Sequence, residues 1–420
     1  MSIKFLKDLP VMVNEGVITQ EDQDRILLWY REKKEEKPNR LFILLGILGA
    51  LLVGLGIILL LAHNWDNFGK ITKTGLAFLP LVISQILVSY ALYRKSELWI
   101  ESSATLLFFS VGTAISLISQ IYHIPGNINN FLLTWILLCM PLIYLLKSKA
   151  LILLHLAFST WWVVAAGYGY RSEIPWFFLL FSGWLVPAYY NFLRDKKESN
   201  MLTVLDWLLP ASLTIALGTF IKSNESLGFL MYMLLFGVFY QWGCFERFKK
   251  NTVLQNGFLV SGLLGMIVLL LITSFKDVWK EVASEGIQGG VETYSALVLL
   301  LLSILVFIKY IQNKEKLNLS HYAVFVFTAV FFVGEINTTL ATIIINILTL
   351  SLGLYFVWTG ARNLSFKKLN LGLLVITALI VCRFFDTDLS FVFRGILFIG
   401  LGIGFFTANY FLLNQKPGRS

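Results

Sequence analysis

Fourteen apolar stretches, nearly all as long as a bilayer is thick, run through this chain, and the linkers between them alternate between many and few Lys and Arg. A hydrocarbon core about 30 Å across takes roughly 20 apolar residues per helix. Segments of that kind recur from Leu41 almost to the C-terminus. A membrane barrel would show shorter segments of about 10 residues, alternating apolar and polar, whereas the run 297–308 is apolar on every side. The fold class is therefore all-α: a polytopic integral membrane helical bundle of about fourteen transmembrane helices. Composition agrees, since 57% of the 420 residues are hydrophobic and only 14% are charged, about half the charged share of a soluble domain.

The spacing predicts spans at 41–62, 72–93, 101–122, 130–146, 150–170, 175–193, 201–221, 225–242, 255–275, 291–311, 320–334, 339–359, 369–385 and 391–413. The stretch 320–334 is short for a full crossing. Three regions result: residues 1–40 as a cytoplasmic helical hairpin, 41–413 as the transmembrane domain, and 414–420 as a cytoplasmic tail. One set of linkers, with both ends of the chain, holds 26 of the 34 Lys and Arg, and the other set holds eight. The positive-inside rule places both termini in the cytoplasm. The net charge of +9 is then topological bias, with some attraction to anionic inner-leaflet lipid, and calls for no nucleic acid. The first apolar stretch is too long for a signal h-region and follows forty residues rich in Lys and Glu, so a retained anchor is expected.

In the N-terminal hairpin, Gly16 is placed as a left-handed stop after a first helix, and Thr19 as an N-cap with Asp22 at N3 of a second helix running towards Lys37. The pair reads either as a stub packed on the membrane domain or as a docking module for a protein partner or a second copy. Acidic Glu32, Glu35 and Glu36 among the basic residues argue against nucleic acid. In the first span Gly46, Ala50 and Gly54 fall four apart and form a small-residue face for close helix packing. His63, Asn64, Trp65 and Asp66 follow at the extracytoplasmic interface, as a helix cap and aromatic anchor or as a head-group or proton site.

These motifs resemble a known family. The short hairpin, the Gly-Ile-Leu-Gly-Ala start with two further glycines, and Ala-His-Asn-Trp-Asp over 62–66 are similar to the bacterial membrane proteins of domain of unknown function 2157. Leu369-Asn-Leu-Gly372, Arg383-Phe-Phe385, Arg394-Gly395 and the glycine-rich last span are similar to the tail of those proteins and of a related uncharacterised family. The resemblance implies a multi-pass protein of the bacterial cytoplasmic membrane and supplies no activity.

Ionisable groups in or near the spans are the remaining pointers, because each is costly in hydrocarbon unless paired or wetted. Arg383, Asp386 and Arg394 sort to the same extracytoplasmic side as His63 to Asp66, and together they form the candidate polar site. Asp206 lies inside a span near Arg194, Lys196 and Lys197, while Gln85 and Asn346 lie near mid-membrane and call for hydrogen bonds to neighbouring helices. Pro80, Pro141, Pro187 and Pro210 are placed to kink their helices. His155 and His321 read as packing histidines, and Cys139, Cys244 and Cys382 as small apolar residues without metal-ligand spacing. Zinc, nucleophile-elbow and phosphate-loop motifs are absent, so no catalytic residue, metal or cofactor is assigned and the chain is read as more consistent with a non-enzyme. Three functions stay open: a transporter or lipid-handling protein, a membrane scaffold or sensor using the hairpin, and an intramembrane enzyme on a lipid-linked substrate. Membrane lipids are the expected partners.

Overall fold

Among the described residues, helix fills most of each apolar stretch from 72 to 384, because a long run of Leu, Ile, Val and Phe gives the backbone no polar alternative to its own i→i−4 bonds. The computed structural model describes residues 9–10, 12–35, 65–168, 173–194, 199–245, 248, 253–286, 289–312 and 317–384, with scattered positions between 392 and 406. The spans expected at 41–62 and 391–413 lie wholly or largely outside the described residues, and so do Gly46, Ala50 and Gly54. No strand occurs among the described residues, and the molecule is an all-α bundle. Nine of its described helices are long and apolar enough to cross a membrane, or ten if one bent pair is counted as a single crossing.

The chain divides into two units at Ala77/Phe78. In the first, α1 is Gln20–Glu35. Gly16 has φ +71°, and Val17 N–H bonds back to Met12 O at 2.9 Å, so the left-handed stop forms as the residue type requires. Thr19 Oγ1 accepts from Asp22 N–H at 3.2 Å while donating to the Asp22 carboxylate at 2.6 Å, a reciprocal cap at the start of α1. The Thr19 hydroxyl holds the Asp22 carboxyl below its ordinary range.

Helix α2, Lys70–Arg94, carries the chain into the second unit. There follow α3 Glu97–Ile121, α4 Ile128–Cys139, α5 Leu142–Leu146, α6 Lys149–Gly167, α7 Phe177–Arg194 and α8 Ser199–Gly218. The chain continues as α9 Glu225–Gly243, α10 Gly257–Ile272, α11 Lys276–Glu285 and α12 Val291–Gln312. The last three helices are α13 Leu319–Ile336, α14 Thr338–Arg362 and α15 Phe366–Phe384. One apolar core joins α2 to α8 around Phe108, Trp135, Ile136 and Phe181, and a second joins α9 to α14 around Met231, Leu234, Phe327 and Phe331. Leu235, Phe239 and Phe258 bridge them by packing on Tyr189, Leu209 and Leu213. Outward, Leu297, Val298, Leu301 and Leu305 of α12 are each more than half exposed, which only a lipid environment makes inexpensive.

Three expected spans differ in detail. The span at 130–146 is present as a crossing-length stretch, Ile128–Leu146, in two pieces: Pro141 has no N–H to continue the ladder, so α4 stops at Cys139, and α5 ends at Lys147 with φ +50°. At Pro80, Pro187 and Pro210, by contrast, the helix runs on through the proline. Residues 255–275 do not form one straight crossing, nor do 276–290 form a loop. Helix α10 ends at Ile272 and the chain turns by 88° into α11. The hydroxyls of Thr273 and Ser274 occupy the carbonyls of Leu269 and Leu271, at 2.7 and 2.6 Å, and so satisfy the helix end. Trp279, fully buried, donates to Thr273 O at 2.6 Å and pins α11 back on the bundle. Finally, the short stretch 320–334 is an 18-residue helix of spanning length.

Backbones approach closely at glycines. A Cβ on Gly262 would stand 2.4 Å from Tyr240 N and 2.7 Å from Phe236 O, so α9 and α10 touch main chain to main chain. Gly372 likewise faces Gly353 O and Val357 N, both at 2.6 Å, where α14 and α15 form the most extensive helix pair in the bundle.

Candidate functional site

Of the polar cluster expected from sequence, His63, Asn64, Asp386 and Arg394 lie outside the described residues. Trp65 and Asp66 belong to the first unit, in a short 3-10 turn at Trp65–Asn67, with Lys73 Nζ 5.6 Å from the Trp65 ring centre and Asp66 exposed. Arg383 belongs to the second unit. Its guanidinium donates to Ser274 Oγ at 3.1 Å and lies 4.7 Å from the Phe275 ring centre, so it braces the bend between α10 and α11. Asn346 supports the same bend, donating to Ser274 O of the turn at 3.0 Å and to Thr342 O of its own helix at 2.7 Å.

Other expected residues fall into structural roles. Asp206, 1% exposed, accepts from the Tyr189 hydroxyl at 2.6 Å. His155 Nε2 lies 3.2 Å from Phe181 O, and the three cysteines are free thiols. The described residues hold no group of His, Cys, Asp or Glu arranged for a metal.

Carboxylates that cap the helices of other segments escaped the sequence reading. Glu292, 2% exposed, accepts from the N–H groups of Lys222 and Ser223, both at 2.7 Å, and Glu285 accepts from Ser226 N–H at 2.9 Å. Asn224 closes this knot by donating to Gly286 O at 2.6 Å, so the turn before α9 is tied to the turn before α12. Glu101 does the same for α6, accepting from Lys149 and Ala150 N–H at 2.8 and 2.9 Å and from Ser148 Oγ at 2.5 Å. These are anions on helix N-termini, where orphan donors and the helix dipole both favour negative charge. A glutamate at the edge of an apolar run was their only visible signal.

The site with room for a ligand lies elsewhere, between α2, α3, α4 and α5. A cavity of about 950 Å³ opens there, at the upper end of the usual range for ligand pockets. Leu81 of α2, Leu107, Val111 and Ile115 of α3, and Phe131 and Leu138 of α4 make its walls apolar. No charged side chain lines it among the described residues. It runs from the turn at 124–128 to the level of Leu107 and Leu142, and the α3 segment from Leu107 to Ser119 alone spans about 18 Å at the helical rise.

Its polar groups are sparse and graded. Near the turn, Ser119 Oγ donates to Ile124 O at 3.0 Å, Asn127 Oδ1 accepts from Asn130 N–H at 2.8 Å, and Thr134 donates to Asn130 O at 2.8 Å. The side chains of Gln85 and Ser116 make no hydrogen bond to any described residue and face the cavity with their capacity unused. Gln85 thus lacks the interhelical bond expected from its sequence position. Trp135 holds α4 against α3 beside the cavity: its ring lies 4.6 Å from Phe158 and 5.3 Å from Phe108, its Nε1–H donates to Phe108 O at 2.8 Å, and Gly112 leaves space for it.

Comparison with known proteins returns to this region. No curated protein and no solved structure matches the chain. Residues 12–152 match the model of a family described as predicted membrane protein, DUF2157, while the similar-looking tail at 369–409 lies beyond the match. All the cavity-lining residues of this multi-pass membrane protein, from Phe78 to Leu142, fall inside the segment that matches that family model.

Proposed function

We propose that the protein handles a membrane amphiphile, taking the apolar chain of an uncharged or zwitterionic lipid-like molecule into the cavity between α2, α3 and α4 and moving it between leaflets. The cavity's grading carries this reading. Apolar walls at Leu107, Val111 and Leu138 suit a hydrocarbon chain, each buried methylene contributing about 0.8 kcal/mol. Gln85 and Ser116 offer free hydrogen-bonding groups to an ester, amide or hydroxyl along the way. The described lining carries no charged side chain, which favours a substrate without net charge, since nothing among these residues would offset the desolvation of an uncompensated ion. The alternation of Lys and Arg supports a topology with the 124–128 turn on the extracytoplasmic side of a bacterial cytoplasmic membrane and both termini inside. In that orientation the polar end of the cavity faces the outer head groups.

The test is lipid movement in vesicles of phosphatidylethanolamine and phosphatidylglycerol containing a trace of fluorescent phosphatidylethanolamine, quenched from outside. The purified full chain is expected to expose the inner-leaflet probe at least tenfold faster than empty vesicles. Val111→Trp, which puts a bulky ring on the wall midway along the cavity, should slow the rate several-fold while its unfolding midpoint stays near that of the parent. Equal rates with and without protein would refute the proposal.

A further inference from the structure

The second core contains polar side chains that neither the cavity nor the capping carboxylates use. Gln241 of α9 is completely buried, and both its Nε2 and Oε1 lack a hydrogen-bond partner. Ser303 of α12 and His321 of α13 are also fully buried, with Ser303 Oγ and His321 Nε2 unpartnered. Burying one unpaired amide or hydroxyl costs roughly 1–3 kcal/mol, and native interiors rarely tolerate several together.

The helices that carry them pack together, α12 and α13 each against α9. Helices α9 and α12 run side by side in the same direction, tied at one end by Glu292 to Lys222 and Ser223 and at the other by the Phe245 and Tyr310 rings at 5.7 Å. Gln241 stands four residues before Phe245, and Ser303 two turns before Tyr310 on the same face of α12, so each helix carries its polar group in the half nearer this ring contact. His321 packs on Tyr310 at 4.5 Å and on Tyr240 at 4.9 Å. Asn318 N–H donates to His321 Nδ1 at 3.2 Å, which puts the proton of the neutral ring on Nε2.

The chemistry of the guest follows from what these groups offer. A carboxamide presents donors and an acceptor, a hydroxyl presents both, and Nε2–H is a donor. A cation would face N–H groups, an anion has no positive partner, and an apolar guest would leave every group unpaired. We infer that α9, α12 and α13 enclose a bound-water site built by Gln241, Ser303 and His321, a hydrated point inside an otherwise apolar core. It is independent of the α2–α4 cavity.

X-ray radiolytic footprinting of the full chain in detergent tests this, because hydroxyl radicals formed from bound water oxidise the side chains beside it. Tyr240 and Tyr310 are expected to oxidise at least fivefold faster than Phe327 and Phe331, which are equally buried. Gln241→Met should lower the unfolding midpoint, since the remaining groups and the water lose a partner. Oxidation of Tyr240 and Tyr310 as slow as that of Phe331, or a higher midpoint in Gln241→Met, would show a dry site and overturn the inference.

Discussion

Glu292→Ala is expected to destabilise the protein by about 3–5 kcal/mol, the range seen when one partner of a buried charged network is removed. The carboxylate is 2% exposed, and its Oε1 alone accepts from Lys222 N–H, Ser223 N–H and the Ser223 hydroxyl, with Asn224 N–H at 3.4 Å completing the set. Removing it strands backbone donors that cannot turn towards another acceptor, each costing about 1–3 kcal/mol. It also takes the compensating charge from the N-terminus of α9. Glu292→Gln keeps an acceptor oxygen and should cost less than half as much. Thermal unfolding in detergent measures the loss, and amide exchange should show residues 222–224 deprotected in the Ala variant. A loss below about 0.5 kcal/mol would mean that the turn holds without the carboxylate.

Gly262→Leu should cost about 3 kcal/mol or more, at or above the top of the usual range for overpacking. The usual relief is a rotamer change in the neighbour, and here the nearest atoms are Tyr240 N, Phe236 O and Tyr240 Cα, all main chain. Only a separation of α9 from α10 would make room, and that pair is among the most extensively packed in the bundle. Gly183 of α7 provides the control, because nothing lies within 4 Å of the position its Cβ would take. Gly183→Leu should be near neutral in thermal unfolding. Equal losses at the two positions would show that α9 and α10 do not meet through Gly262.

The helices were legible in the sequence because hydropathy is additive and local, and so was the cap at Thr19 and Asp22, whose partners are three residues apart. Pairings across the chain were not. Glu292 meets Lys222 and Ser223 some 70 residues away, and Glu101 meets Ser148 to Ala150 across 47 to 49. The 88° bend after Ile272 hid inside an apolar run, since Thr273 and Ser274 look like ordinary small polar residues until their hydroxyls are seen on the last carbonyls. Which glycines matter was equally hidden. Gly262 and Gly183 sit in similar apolar surroundings in sequence, and only the placement of α9 separates them. For the candidate site, Arg383 was visible as a charge near a span end but not as the brace of that bend. The cavity is a gap between helices, so its lining had no motif, and Gln85 alone of its residues had drawn notice as a midplane carboxamide.

The occupant of that gap is the central question, and photocrosslinking answers it most directly. The full chain is reconstituted with phosphatidylethanolamine bearing a diazirine on its acyl chain, irradiated, and mapped by peptide mass spectrometry. Adducts should concentrate on Leu107, Val111 and Leu138, several-fold above those on the exposed Leu297, Leu301 and Leu305 of α12, and Val111→Trp should lower the excess. Adducts spread evenly over both sets, or unchanged by Val111→Trp, would contradict a lipid chain in the cavity.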